Sequence, residues 1–68
     1  MSKEFGECLR YLREEKGIGQ VQLAKEINVG KSIISSWERG EAEPTLPNLI
    51  AIAKFFNVTI DYLAGLEN

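Results

Sequence analysis

Few side chains in this 68-residue sequence could carry out nucleophilic or metal-assisted chemistry, because it contains no histidine and one cysteine, Cys8. A structural zinc site needs about four ligands of the Cys, His or carboxylate type. Cys–His pairs and Ser–His–Asp triads both require a histidine. One cysteine cannot form a disulfide within the chain, which favours a reducing compartment. We therefore expect no enzymatic activity, no metal and no cofactor, and we interpret Cys8 as a small buried hydrophobic residue.

Charged side chains could bind an oppositely charged partner, but their overall balance is slightly acidic. Eight Lys and Arg residues stand against ten Asp and Glu residues, which gives a formal net charge of −2. Domains that bind nucleic acid are usually basic, so the net charge argues against such a partner. The distribution is uneven, however, since the first 39 residues hold seven of the eight basic residues and six of the ten acidic ones. A DNA-binding surface, if present, is expected in this first part.

The elements that position these side chains are predicted to be helices, because the apolar residues follow helical spacing and strict two-residue alternation is missing. The predicted helices span residues 3–15, 20–27 and 31–39, and two more follow the N-cap residues Thr45 and Thr59. The buried stripe of the fourth helix is predicted to consist of Leu46, Leu49, Ile50, Ala53 and Phe55 or Phe56. The fold class is therefore expected to be all-α, a compact bundle of five short helices.

Length and hydropathy limit the organisation of the chain. Sixty-eight residues are expected to form a single domain, residues 1–68, without a separate effector domain. The longest apolar run, residues 49–53, is far shorter than the roughly 20 residues of a membrane span. The N-terminus lacks the apolar segment of a secretory signal. These features predict a soluble cytoplasmic protein that does not interact with membranes.

Residues 20–39 have the spacing of a helix-turn-helix unit, in which two helices of about eight residues are joined by a tight turn. Asn28 lies at the turn, where asparagine tolerates a left-handed conformation. Small Ala24 allows the second helix to cross closely. The apolar residues of the unit can all point to one core: Leu23, Ile27, Val29, Ile34 and Trp37. The outer face of the second helix then stays free to enter a DNA major groove.

The chain resembles the Cro and lambda-repressor-like (XRE) family of bacterial and phage regulators over about residues 5 to 66. The resemblance rests on Leu12-Arg13, Gly17-Ile18-Gly19-Gln20, Leu23-Ala24, Ile27-Asn28-Val29, the segment from Ile34 to Gly40, Pro44, and Asn57-Val58-Thr59-Ile60-Asp61-Tyr62-Leu63. It implies a sequence-specific regulator of transcription that binds double-stranded DNA, most simply a repressor acting as a homodimer on an inverted-repeat operator.

The resemblance also implies roles for individual residues. The base contacts would come from the outer face of the third helix, namely Lys31, Ser32, Ile33, Ser35 and Ser36. The phosphate contacts would come from Gln20, Arg39 and Thr45, and Arg13 and Glu38 would form an ion pair that orients the reading helix. Two departures from the family pattern stand out. Gly19 and Gly30 occupy N-cap positions where the family often has Ser or Thr. The loop at Glu41 and Glu43 is acidic, whereas this loop is often basic in relatives.

Apolar residues near the C-terminus exceed what one small core can cover, which is typical of an interface. We expect the homodimer to form through Ile52, Phe55, Ile60, Tyr62 and Leu66. An alternative is a protein-interaction module of the antitoxin or anti-regulator type, which would keep the fold but bind another protein. The acidic loop and the isoelectric point near 5.0 favour this alternative, whereas the serine-rich outer face of the third helix favours DNA.

Overall fold

Five α-helices and the turns between them make up residues 2–67, the part of the chain that the computed structural model describes. The helices are α1 (Ser2–Lys16), α2 (Gln20–Glu26), α3 (Lys31–Glu38), α4 (Leu46–Phe56) and α5 (Ile60–Leu63). No strand occurs in this range. The all-α, five-helix fold predicted from the sequence is therefore confirmed.

The helix-turn-helix formed by α2 and α3 has the predicted position, with each helix ending one residue earlier than expected. Ile27 and Arg39 are the C-cap residues. Asn28 adopts the left-handed conformation expected at the turn, with φ of 60°. Both helices begin at glycine, Gly19 and Gly30, and neither has a side-chain cap. The backbone alone therefore defines where α2 and α3 start.

Side-chain caps define the start of the last two helices instead. The Thr45 hydroxyl accepts a hydrogen bond from the Asn48 amide, and the Thr59 hydroxyl accepts one from the Tyr62 amide. Asn57, with φ of 57°, turns the chain between α4 and α5. Both predicted threonine caps are confirmed.

The core lies between α3, which packs against α1 and α2, and the C-terminal pair α4 and α5. Phe5 and Trp37 contact edge to face, with ring centroids 5.8 Å apart, which joins α1 to the end of α3. Trp37 is buried, as the sequence predicted. The buried hydrophobic residues are Phe5, Leu9, Leu23, Ala24, Ile27, Ile34, Trp37, Leu49, Ile52 and Leu63.

Gly6 marks the closest approach of α1 to α3. A methyl group added at Gly6 would lie 2.3 Å from the backbone carbonyl oxygen of Trp37 and 3.0 Å from that of Glu38. These are backbone atoms, so they cannot move aside as the end of a side chain could. Glycine at this position therefore lets α1 pack directly on the last turn of α3.

The buried face of α4 differs from the prediction. Leu49 and Ile52 are buried, whereas Leu46 and Ile50 are exposed. Apolar residues fill most positions of α4, so helical spacing alone defines no single face. Packing against α5 and the rest of the core selects the face that contains Ile52.

Candidate nucleic-acid interface

The outer face of α3 presents a short polar surface with one apolar side chain. Lys31, Ser32 and Ile33 occupy the first turn and are exposed, and Ser36 follows as a half-buried residue. Ile34 lies on the opposite side and is fully buried. Because the buried residues fix the rotation of the helix, these four side chains share one accessible edge, to which they bring hydrogen-bonding groups and an aliphatic surface.

Ser35 does not belong to this edge, contrary to the sequence prediction. It is 8% exposed, and its hydroxyl donates a hydrogen bond to the Gln20 side-chain oxygen over 2.8 Å. Ser35 follows buried Ile34 directly and faces the start of α2 rather than the solvent. Its function in this structure is to connect the two helices of the helix-turn-helix unit.

A buried polar network extends from this contact to α1. Arg13 donates to both carboxylate oxygens of Glu38, from Nε over 2.7 Å and from Nη2 over 3.0 Å, and from Nη1 to the carbonyl of Ile18 over 3.0 Å. The Gln20 amide nitrogen donates to the same Glu38 carboxylate over 3.0 Å. The side chains of Arg13 and Glu38 are only 13% and 6% exposed. The network therefore fixes α1, α2 and α3 relative to one another through hydrogen bonds that water reaches poorly.

The geometry of this network favours the charged state of Arg13. The hydrogen bonds to Glu38 raise the pKa of Arg13, because they stabilise the protonated guanidinium more than burial disfavours it. Among residues 3–67, no buried side-chain nitrogen or oxygen lacks a hydrogen-bond partner. A buried ion pair whose remaining groups are all satisfied is the arrangement in which such pairs are tolerated.

Gln20, predicted to contact a phosphate, is half-buried and held from two sides. Its oxygen accepts from Ser35 and its nitrogen donates to Glu38. A glutamine amide group carries two donor hydrogens, so one remains beyond the bond to Glu38. The structure thus orients the side chain at the beginning of α2 and leaves it one N–H for a further partner.

Arg39 and Thr45, the other predicted phosphate contacts, are both exposed. Arg39 forms an ion pair with Glu41, at 2.9 Å between Nε and Oε2. The Thr45 oxygen accepts from the Asn48 amide over 3.4 Å, which leaves its own hydrogen available. Both residues can therefore reach an external group, but Arg39 is already bound to an acidic neighbour.

The predicted dimer surface needs a correction at Ile52. This residue is fully buried in the core and cannot contact a second chain. Phe55 and Ile60 are partly buried against the core, and the Phe55 ring is also covered by Lys16, whose Nζ lies 5.3 Å from the ring centroid. Tyr62 is half-buried, and of the predicted set only Leu66 is strongly exposed.

Cys8 is half-buried, and its thiol lies 3.9 Å from the carbonyl oxygen of Tyr62. Burial raises the pKa of this thiol. Between residues 2 and 67 there is no group of His, Cys, Asp and Glu side chains that could hold a metal ion, and no helix there is long and apolar enough to cross a membrane.

Comparison with known proteins identifies relatives over nearly the whole chain. The helix-turn-helix family model matches residues 9–63. The chain is 47% identical over 64 residues to the transcriptional activator BcrR of Enterococcus faecalis, covering 94% of this chain and 31% of that protein. It is 41% identical over 59 residues to the repressor protein C2 of Salmonella phage P22, covering 87% of this chain and 27% of that protein. The chain thus spans about a third of the length of these relatives.

Solved structures share the fold. The P22 c2 repressor in complex with a synthetic operator has a TM-score of 0.87 and 38% identity, with 93% of this chain and 96% of that chain covered. The restriction-modification controller protein C.AhdI of Aeromonas hydrophila has a TM-score of 0.80 and 32% identity, with 88% and 91% covered. The arrangement of the five helices is therefore common to this chain and to these regulators.

Proposed function

Since the chain belongs to the helix-turn-helix family of Cro and lambda-repressor-like regulators, we propose that it is a sequence-specific DNA-binding regulator of transcription, acting as a repressor. The observation that carries the proposal is the exposed polar edge of α3, held in a fixed orientation by the buried network around Glu38. The structural likeness to a repressor in complex with a synthetic operator supports it. Such a regulator acts where bacterial or phage DNA is present, so we place it in the cytoplasm.

Base recognition is assigned to the accessible residues of α3. Lys31 carries an ammonium group that can donate to the O6 and N7 acceptors of guanine, and Ser32 and Ser36 can donate or accept. Ile33 offers an aliphatic surface to a thymine methyl group. Ser35 is left out of this set, because its hydroxyl is bound to Gln20 inside the protein. The reading surface is therefore smaller than the sequence alone indicated.

Phosphate contacts are assigned to Gln20, Arg39 and Thr45, which lie near the ends of the helix-turn-helix unit and at the start of α4. Phosphate contacts position a protein on DNA without reading its sequence. A dimer that makes six to ten such contacts loses about 10³–10⁵ in affinity between 50 and 200 mM salt. The same range is expected here.

A homodimer on an inverted repeat would place two α3 helices about one DNA turn, roughly 34 Å, apart. We assign its interface to the C-terminal part of the chain, with Ile52 removed from the predicted set and the other four residues retained, namely Phe55, Ile60, Tyr62 and Leu66. Sedimentation in the presence of duplexes with one or two half-sites tests whether the chain binds DNA as a dimer. Two protein chains on the full site and tighter binding there than on a single half-site are expected. Equal affinity for both duplexes would contradict dimeric binding.

Selection from a random pool of DNA duplexes at moderate salt, followed by sequencing, tests the proposed function itself. Enrichment of an inverted repeat with fixed spacing is the expected result. Lys31→Ala is then expected to relax the preference at one base pair of each half-site. Its matched control is Lys25→Ala, which removes the same charge from an exposed position of α2. No enrichment with folded protein at micromolar concentration would contradict DNA recognition and favour a protein-binding role.

A further inference from the structure

The end of α3 brings Glu41 back beside the helix it follows. Gly40 has φ of 74°, a conformation that residues with side chains rarely adopt. The Gly40 amide donates to the Trp37 carbonyl over 3.1 Å, and the Glu41 amide donates to the Ser36 carbonyl over 3.0 Å. These two bonds form a Schellman motif, which ends the helix and reverses the chain. The position of the Glu41 backbone is therefore fixed relative to the reading helix.

The Glu41 carboxylate occupies one edge of the Arg39 guanidinium. Arg39 donates from Nε to Oε2 over 2.9 Å and from Nη2 to Oε1 over 3.0 Å, which is a bidentate pair. The mutual hydrogen bonds raise the pKa of Arg39 and lower that of Glu41, so both groups are charged at neutral pH. The two side chains are 56% and 58% exposed, so water and other anions can reach the pair.

A DNA phosphate presents the same pattern of acceptor oxygens to arginine as a carboxylate does. We propose that Glu41 acts as an intramolecular competitor for the phosphate that binds Arg39, an inference that rests on the proposed DNA-binding function. In the free protein Glu41 holds the guanidinium edge, and binding of the DNA backbone displaces it. Because phosphate contacts are independent of sequence, this competition lowers the affinity for every duplex and limits binding outside the operator.

Glu43 provides a control that separates the competition from general repulsion by an acidic loop. It lies two residues further along, carries the same charge and is also exposed. Among the ion pairs of residues 2–67, Glu43 takes part in none. Replacing either glutamate with glutamine removes one negative charge from this loop, but only the change at position 41 frees Arg39. The two variants therefore form a matched pair.

The test measures binding of wild type, Glu41→Gln and Glu43→Gln to two duplexes by fluorescence anisotropy between 50 and 200 mM salt. One duplex carries the selected operator and the other a scrambled sequence. We expect Glu41→Gln to tighten binding to both duplexes by about 1.4- to 5-fold, the strength of an exposed ion pair that DNA binding must otherwise break. The gain should decrease from 50 to 200 mM salt, because salt screens the exposed Arg39–Glu41 pair. Glu43→Gln is expected to give a smaller gain.

The same two variants in an Arg39→Gln background test whether the effect of Glu41 on DNA affinity requires Arg39. In that background Glu41→Gln is expected to have no larger effect on DNA affinity than Glu43→Gln, because the arginine that binds the phosphate is gone. Equal gains from the two variants in the presence of Arg39 would overturn the competition while leaving DNA binding established. An undiminished gain from Glu41→Gln without Arg39 would also overturn it. If wild type binds neither duplex, the proposed function fails, and the competition fails with it.

Discussion

The Arg13–Glu38 pair provides the sharpest test of how the reading helix is held in place. Glu38→Ala removes the acceptor of three hydrogen bonds, two from Arg13 and one from the Gln20 amide. Arg13 keeps only its bond to the Ile18 carbonyl. Its charge then stays in a site where the side chain is 13% exposed. The variant therefore creates a poorly solvated charge without its counter-ion.

The expected loss of unfolding free energy in Glu38→Ala follows from this geometry. Removing one partner of a buried ion pair costs about 3–5 kcal/mol, because the other charge is left uncompensated. The remaining bond to Ile18 and the residual exposure of Arg13 favour the lower end, about 3 kcal/mol. A domain of this size has a free energy of unfolding of roughly 3–10 kcal/mol. The variant should lose about 30% or more of this free energy, and its Tm should fall by about 12–24 °C.

Urea and thermal unfolding followed by helical circular dichroism provide the measurement. Glu14→Ala is the control, since Glu14 pairs with Arg10 on the surface of α1, where both side chains are more than half exposed. That change is expected to cost less than about 0.5 kcal/mol. The double replacement Arg13→Met with Glu38→Leu removes both charges and should be more stable than Glu38→Ala alone. A loss below about 1 kcal/mol for Glu38→Ala, or one no larger than that of the control, would refute the reasoning.

Three further predictions concern packing and reactivity. Gly6→Ala should destabilise the fold by about 1–3 kcal/mol, because its methyl group would overlap backbone oxygens of α3; Gly19→Ala, which meets open space, should cost less than about 1 kcal/mol. Iodoacetamide at pH 8 should alkylate Cys8 more slowly in the folded protein than in urea, because the raised pKa lowers its thiolate fraction, and equal rates would contradict this. Ile52→Ala should cost about 2–5 kcal/mol and Ile50→Ala much less in urea unfolding; similar losses would contradict the assigned buried face of α4.

Local signals in the sequence were sufficient to predict the helices and their order. The threonines before α4 and α5, the asparagine at the turn between α2 and α3, and the apolar spacing of α1 each act within a few residues. The same apolar spacing predicted the burial of Ile34 and Trp37. This burial determines which side of α3 is accessible. At these positions the local sequence pattern and the tertiary packing favour the same structure, so the sequence pattern alone predicts which residues are buried.

The errors arose where the environment of a residue depends on a distant element. Ser35 is as polar as its neighbour Ser36, and only the crossing of α2 over α3 determines that its hydroxyl meets Gln20. Ile52 and Ile50 are identical in type, and the docking of α4 decides which of them is buried. The requirement for glycine at position 6 depends on the distance between α1 and α3. None of these contacts leaves a periodic pattern in the sequence.

The burial of Ser35 has a consequence for how DNA would be recognised. A bidentate contact to a base contributes about 1–3 kcal/mol of discrimination, and among the accessible residues of α3 only Lys31 has the chemistry to form one with guanine. Specific binding exceeds non-specific binding by about 4–10 kcal/mol in typical regulators. One chain with Lys31, two serines and one isoleucine falls at the low end of that range. Two chains on an inverted repeat would double the number of base contacts, so we expect sequence-specific binding to depend on a second copy of the chain.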